Sequence, residues 1–344
     1  MLYKNAEIHN VEEMITNADG SVSFIRVPHT VYENLEMSGG QRQAISSTGV
    51  EIRFVIKGDA AKIKMAIDGD ASSTNVFHVY RGGIQGGWED HEVHKVVKED
   101  AEEFIIKKSP DIEKLKNMTE VSGLSFDPAV VRVIFDRGRY KFYDISGDIE
   151  PPKKEQLPGK TLLTYGSSIT HGSNSIDASH SWASILAHNL DMDLRNLGLA
   201  GSCALEKEMA DFIAKSGQAG KWDKAILELG INVLSWDEEK IRERSTYFIE
   251  KVAKANLDKD IYIISPFYYC DEYFANGKSG EKWRRILKEV VEKLDCSNVK
   301  YIKGTDILPD MSYISADMVH PNIYGVQKIA EELTGIIREN KSLL

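Results

Sequence analysis

"TYGSSITHGS", residues 164–173, is the stretch on which the reading of this 344-residue chain turns. It follows the apolar pair Leu162 and Leu163 and sets two glycines among serine and threonine hydroxyls. A solvated Gly-Ser turn is the commoner meaning of such a string. The other meaning is a reactive serine at the carboxyl end of a buried strand. What lies on either side decides between them.

Downstream, short apolar runs alternate with helical patterns. "TLLTYG" (161–166), residues 193–199, "AILELG" (225–230), "IYIISPF" (261–267) and "VKYIKG" (299–304) read as strands. Between and after them, apolar residues fall at helical spacing: Trp182, Ile185, Leu186 and Leu190; Leu205, Met209, Phe212 and Ile213; Trp283, Ile286, Leu287, Val290, Val291 and Leu294; Val326, Ile329, Leu333 and Ile337. Strand–helix alternation over this length implies a parallel sheet with helices on both faces. Functional groups in such sheets gather in the loops at the carboxyl ends of the strands. Gly166 to Ser168 stands in such a place.

Upstream the rhythm is different. Ile52, Phe54 and Ile56 alternate with polar residues, and Ile63, Met65 and Ile67 do so after Gly58–Asp59, which reads as a turn. "VVRVIFDRGRYKFYDI" repeats the pattern around Asp136 to Gly138. Period-two strands with few helical stretches predict an antiparallel, jelly-roll-like β-sandwich over residues 1–150. "DIEPPKKEQLPGK" (148–160), with three prolines, suits a boundary. The expected division is therefore an accessory domain at 1–150, a linker at 151–159 and an α/β domain at 160–344.

The bulk numbers narrow the function class. Hydrophobic residues make up 42% and charged residues 28% of the chain, as in ordinary globular proteins. The formal charge of −10 argues against a nucleic-acid partner or an anionic membrane surface. The N-terminus shows no apolar signal core, and no apolar run is long enough to span a bilayer. Cys203, Cys270 and Cys296 are odd in number and far apart, which fits a reducing compartment and no zinc spacing. A cytoplasmic protein is expected.

Three further stretches occupy strand exits or their equivalents: "NLGLAGS" (196–202), "ELGIN" (228–232) and "DMVHPN" (317–322). A serine hydroxyl needs a base to take its proton, usually histidine, and the histidine needs a carboxylate to fix its tautomer. His320 with Asp317 three residues before it supplies both. The oxyanion of a tetrahedral intermediate needs donors, which backbone amides near glycine and the Asn232 side chain can give. Taken singly, each residue has a plainer role as turn, cap or surface acid. Ser168, Gly201, Asn232, Asp317 and His320 together make an acyl-transfer site.

These four blocks resemble those of the SGNH hydrolases, the GDSL esterase/lipase family. "GSSIT" matches the first block with Ser168 as nucleophile, "NLGLAG" the second with Gly201, "GINV" the third with Asn232, and "DMVH" the fourth with Asp317 and His320. The resemblance implies a three-layer α/β/α, flavodoxin-like domain. It also implies an oxyanion hole of the Ser168 amide, the Gly201 amide and the Asn232 side chain. Ser167 and Val233 stand where the family usually has aspartates. The preceding β-sandwich is similar to that of two-domain carbohydrate esterases, which remove acetyl groups from sugars.

The expected activity is that of a serine esterase acting on short-chain, chiefly acetyl, esters of mono- or oligosaccharides through an acyl-enzyme, without a cofactor. The alternatives are a short-chain lipase, thioesterase or lysophospholipase with the same triad, or a catalytically weak carbohydrate-binding protein. Family habit adds the expectation of a homo-oligomer. Trp88, Trp236, Tyr268 and Tyr269 are candidate substrate contacts, with packing the competing role; for Trp88 a core position is favoured. His171 lies near the nucleophile, but a first-turn side chain points away from it, so His320 is preferred as base. His91 and His94 have ligand-like spacing without a third partner nearby in sequence, and no metal site is expected.

Overall fold

The computed structural model describes residues 1–68, 75–88, 91–274 and 278–339. Strands β1 (Ala6–His9), β2 (Val22–Ile25), β3 (Glu51–Ile67), β4 (Val76–Arg81), β5 (Glu102–Lys107), β6 (Val130–Phe135) and β7 (Tyr140–Glu150) belong, with shorter strands, to an antiparallel sheet of eleven. The long strand β3 is shared. Residues 51–55 pair with β6, and β1 lies along the same end, whereas residues 60–67 pair with β5 and β7. Its inward residues Ile52, Phe54, Ile63 and Met65 meet Phe24, Phe77, Phe135 and Phe142 in one buried cluster.

Here one sequence expectation needs correcting. Gly58–Asp59 is not a turn between two strands, because β3 runs through it. The pairing with β7 shifts register there, with Ile149 opposite Ile56 but Gly147 opposite Ala61. A glycine and a short polar residue relax the strand at this irregularity, and the strand continues instead of reversing.

The second region is a five-stranded parallel sheet built from β8 (Thr161–Tyr165), β9 (Asp193–Asn196), β10 (Lys224–Glu228), β11 (Asp260–Ile264) and β12 (Val299–Ile302), in the order β9-β8-β10-β11-β12. That is the flavodoxin-like order, with a switch point between β8 and its two neighbours. Alternate strand residues face opposite layers. Leu163, Ala225, Leu227, Ile261 and Ile263 face helices α3 (Lys207–Gln218), α4 (Glu238–Ala255) and α5 (Lys278–Lys293). Leu162, Ile226, Tyr262 and Ile264 face α2 (Trp182–Asn189) and α6 (Ile323–Arg338). The apolar strand residues are thus covered by one layer or the other, which explains the continuous apolar runs.

Helix α4, with eighteen residues, is not among the helices that the spacing of apolar residues predicts. Its stripe of Ile241, Phe248, Ile249 and Val252 is interrupted by the buried Ser245 and surrounded by charge. Asp237 caps its first turn by accepting from the Lys240 amide at 2.8 Å.

Polar bonds fasten the two regions together along β9 and the second block. The buried Arg53 on β3 donates two bonds to Asp193 at the start of β9, at 2.8 and 2.6 Å. Arg26, also buried, donates to the carbonyls of Ser46, Asn196 and Gly198. Burial lowers its pKa to about 9. Among the described residues no helix is long and apolar enough to cross a membrane.

Candidate active site

Strand β8 ends at Tyr165, and the chain turns at once into the single-turn helix α1 (Ser168–His171). Ser167 caps that helix, its hydroxyl accepting from the Ile169 amide at 3.1 Å. This turn leaves Ser168 at the edge of the sheet with 7% of its surface exposed. The two strands flanking β8 are β9 and β10. Their exits carry the second and third blocks, so parallel pairing alone places all three blocks side by side, about 4.8 Å per strand.

The second block is laced to the first. Asn196 donates to the Thr170 carbonyl at 2.8 Å, and the Leu199 amide donates to the Gly166 carbonyl at 2.9 Å. Gly198 permits this approach, since a Cβ there would stand 2.4 Å from the His171 nitrogen. Gly201 follows in the left-handed region with φ +65°, which favours glycine. Asn232, in the short turn after β10, accepts at Oδ1 from the Cys203 amide at 3.0 Å. That bond fixes which way the amide faces and leaves its NH2 group as the donor.

The fourth block arrives from the far end of the chain, just before α6. His320 Nε2 lies 2.7 Å from Ser168 Oγ, and His320 Nδ1 lies 2.8 Å from Asp317 Oδ2. Asp317 Oδ1 accepts from the His320 and Val319 amides at 2.9 and 3.0 Å and from the Ser315 hydroxyl at 2.9 Å. Burial would raise its pKa, but these donors hold the carboxyl well below the usual carboxylate range. Asn322 caps α6 and fixes the chain after His320 by accepting from the Tyr324 and Gly325 amides.

Other parts of the site were not visible in the sequence. Asn174 donates to Asp317 Oδ2 at 2.6 Å and to the Ser315 hydroxyl at 2.8 Å, tying the loop after α1 to the acid. Glu228, the last residue of β10, lies beneath the nucleophile's turn. Its Oε2 accepts from the Ser167 amide and hydroxyl at 2.8 and 2.7 Å and from the Thr170 hydroxyl at 3.0 Å. Ser167, which replaces the usual acid, therefore has a carboxylate partner from the neighbouring strand.

Burial pushes the Glu228 pKa up to about 7, with the Ser167 and Thr170 donors opposing it. The folded state thus retains a proton that the unfolded chain has lost. Its stabilising contribution is full below about pH 4.5 and is lost as the pH rises through about 7. Glu228→Gln keeps the shape and removes the ionisation. The variant's melting temperature should gain on that of the wild type between about pH 5 and pH 8, as differential scanning fluorimetry across that range would show. A constant difference would mean that Glu228 does not titrate there.

His171 points away from the serine. It is buried, with Nε2 2.5 Å from the Ser46 hydroxyl of the N-terminal region. Burial, with Arg26 and Arg137 nearby, holds its pKa well below the ordinary histidine value. The Thr48 hydroxyl donates to the His171 carbonyl at 2.7 Å, and Arg137 donates to the Gly172 carbonyl. The N-terminal region therefore braces the helix that bears Ser168.

The aromatic candidates are not gathered at this site. Trp236 packs on Trp283 with ring centres 6.1 Å apart, under Lys240. Tyr269 is buried, its hydroxyl donating to Asp271. Tyr268 lines a separate cleft with Lys303 and Arg284. Trp88 is 79% exposed, so the core position expected for it is incorrect: the glycine-rich loop holds the ring off the sheet. The exposed apolar side chains beside the fourth block are instead Met318, Ile323 and Tyr324. Tyr273 and Phe274, also exposed, belong to a segment tied to Met318 by the Cys270 amide, which donates to its carbonyl at 2.9 Å.

A model of the GDSL-like lipase/acylhydrolase family matches residues 159–338. Among solved structures, a salicylyl-acyltransferase from a tetracycline biosynthetic pathway aligns over 99% of this chain and 96% of its own, with TM-score 0.78 and 17% identity. A GDSL-like lipase described as such from Bacteroides ovatus aligns over 97% of both chains, with TM-score 0.68 and 16% identity. A family two carbohydrate esterase from Cellvibrio japonicus covers 97% of this chain and 95% of its own, with TM-score 0.62 and 14% identity. At these identities the likeness concerns the fold. A search of curated proteins found no match.

Proposed function

The chain belongs to the GDSL-like lipase/acylhydrolase family, and from that premise we propose that it is a serine esterase that removes acetyl groups from mono- or oligosaccharides. The observation that carries this reading is the hydrogen-bonded series Ser168–His320–Asp317, with 2.7 and 2.8 Å between its members. Ser168 Oγ attacks the ester carbonyl while His320 Nε2 takes its proton. Asp317 holds the opposite ring nitrogen and stabilises the imidazolium. His320 then returns the proton to the leaving sugar oxygen. Water, deprotonated by the same ring, releases acetate from the acyl-enzyme.

The Ser168 and Gly201 amides and the Asn232 NH2 are assigned to the oxyanion. Asn232→Ala should lower kcat by about 10²–10³-fold with little change in KM, because the bond strengthens only as negative charge develops. Steady-state kinetics on p-nitrophenyl acetate would measure it. A rise in KM with kcat unchanged would instead place Asn232 in ground-state binding.

The sugar preference is supported by the exposed rings of Tyr324, four residues after His320, and of Tyr273 and Phe274, whose flat faces suit stacking on a pyranose ring. A related fold, the family two carbohydrate esterase from Clostridium thermocellum, has been solved in complex with cellohexaose. The role proposed for residues 1–150 is that of an accessory domain bracing the nucleophile's helix through Ser46, Thr48 and Arg137. The deciding experiment compares acetate release from acetylated oligosaccharides with hydrolysis of p-nitrophenyl esters of rising chain length. Higher kcat/KM on the acetylated sugars, falling steeply beyond acetyl in the simple series, is expected. A preference for long acyl chains would favour a lipase instead.

A further inference from the structure

His94 lacks a third partner in its own stretch of sequence, but the fold brings it two from elsewhere. His78 on β4 and Asp177 in the loop between α1 and α2 each offer a ligand atom, and these lie with one from His94 within 4.8 Å of one another. We propose that His78, His94 and Asp177 bind one divalent transition-metal cation, Zn²⁺ by the chemistry of its ligands, which fastens the N-terminal sheet to the loop following Ser168.

The geometry around His78 is that of a ligand held ready. Its side chain is 2% exposed. Nδ1 donates to the Val93 carbonyl, so that in the neutral ring the lone pair is on Nε2. That buried Nε2 makes no hydrogen bond, and it lies 3.4 Å from Asp177 Oδ2. A lone pair facing a carboxylate oxygen is acceptor against acceptor, which is unfavourable unless a positive charge stands between them. With metal bonds of about 2.0–2.2 Å, two ligands of a tetrahedral zinc stand about 3.3 Å apart. The observed 3.4 Å already fits one edge of that tetrahedron.

Asp177 is held in the same way from behind. Its Oδ1 accepts from the Ser179 hydroxyl at 2.6 Å and the His180 amide at 3.1 Å, and His180 Nδ1 lies 3.0 Å from both oxygens. These bonds turn Oδ2 towards His78, in the manner of groups that orient ligating carboxylates. His94 closes the site from outside. Its ring centre is 5.1 Å from that of His78, and it is exposed, so it can move the remaining distance and also marks the entry path. Two imidazoles and a carboxylate select zinc over magnesium or calcium, which prefer oxygen alone. The metal would restrain the loop whose Asn174 holds Asp317.

The test uses the full chain, stripped with a chelator and titrated calorimetrically with Zn²⁺. Wild type should bind one equivalent, with a rise in melting temperature. His94→Ala alters an exposed side chain and should weaken binding at least tenfold. His91→Ala, three residues away and also exposed, should leave it unchanged. Co²⁺ bound to wild type should give the visible absorption of a four-coordinate ion with nitrogen ligands, and this should be lost in His94→Ala. Absence of Zn²⁺ binding by wild type, or a His94→Ala affinity within tenfold of it, overturns the proposal. None of these readouts depends on esterase activity.

Discussion

Ser168→Ala is expected to lower kcat on p-nitrophenyl acetate by about 10⁶-fold, as removal of a triad nucleophile does elsewhere. The substitution deletes one oxygen. The Cβ remains, the helix α1 still begins under the Ser167 cap, and the bonds from Ser167 and Thr170 to Glu228 are untouched. Among the described residues the one partner lost to the hydroxyl is His320 Nε2, whose ring is 24% exposed and can turn to water. Melting temperature should therefore change by a few degrees at most, so that a dead variant is a folded one. Active-site titration with an organophosphate would complete the experiment: wild type should be labelled once, the variant not at all. If the variant keeps more than about a hundredth of wild-type turnover, the nucleophile is another residue. His171 is then no substitute base, since its ring is engaged with Ser46 in the N-terminal region.

What the sequence disclosed and what it hid follow from one difference. Each of the four blocks is short; the first three lie at strand exits and the fourth just before the last helix, so local pattern and the rule for parallel sheets suffice to bring them together. The partner of Ser167 could not be found that way. Glu228 is sixty-one positions further along and meets Ser167 only because β10 lies beside β8. Asn174 reaches Asp317 across 143 positions for a similar reason. The helix α4 is hidden by composition: Glu238, Glu239, Lys240, Arg242, Glu243 and Arg244 crowd its first two turns, and only four large apolar residues mark its inner face. In β3, Gly58 and Asp59 carry the residue types of a turn, but the strands on either side find partners that let the chain continue. Local propensity yields there to pairing over long distance.

Aromatic residues behave alike in this respect. Trp236 and Tyr269 follow strands at the active edge, and edge position alone made them candidates. Whether such a ring lines a site or packs beneath a loop depends on what arrives from elsewhere, and for Trp236 that is Trp283 of helix α5. The exposed ring of Tyr324 lies one turn past His320, in a stretch that reads only as a helix start.

Asp317→Asn should lower kcat by about 10⁴-fold while KM changes little, and the reason lies in where the donors stand. At Oδ1 three groups donate: the amides of His320 and Val319 and the Ser315 hydroxyl. An asparagine must place its carbonyl oxygen there, because an NH2 group would face two N–H donors. Its NH2 then takes the position of Oδ2, opposite His320 Nδ1, and the Asn174 side chain, which donates to Oδ2 in the wild type, must turn its amide oxygen there. The ring can accept from that NH2 only with its proton on Nε2. In that tautomer Nε2 donates to Ser168 Oγ and cannot take the serine's proton. The fold survives, since the carboxyl side chain is 41% exposed and its backbone bonds persist. The contribution of the Asp317 carboxylate to stability, present above its ordinary pKa and lost as pH falls, is also removed, so the variant's acid unfolding should be less steep. Measurement of kcat and KM, with ¹⁵N chemical shifts of His320 to report the tautomer, would separate orientation from charge. A variant within tenfold of wild type, with the proton still on Nδ1, would show that the Ser168–His320 pair does not depend on Asp317.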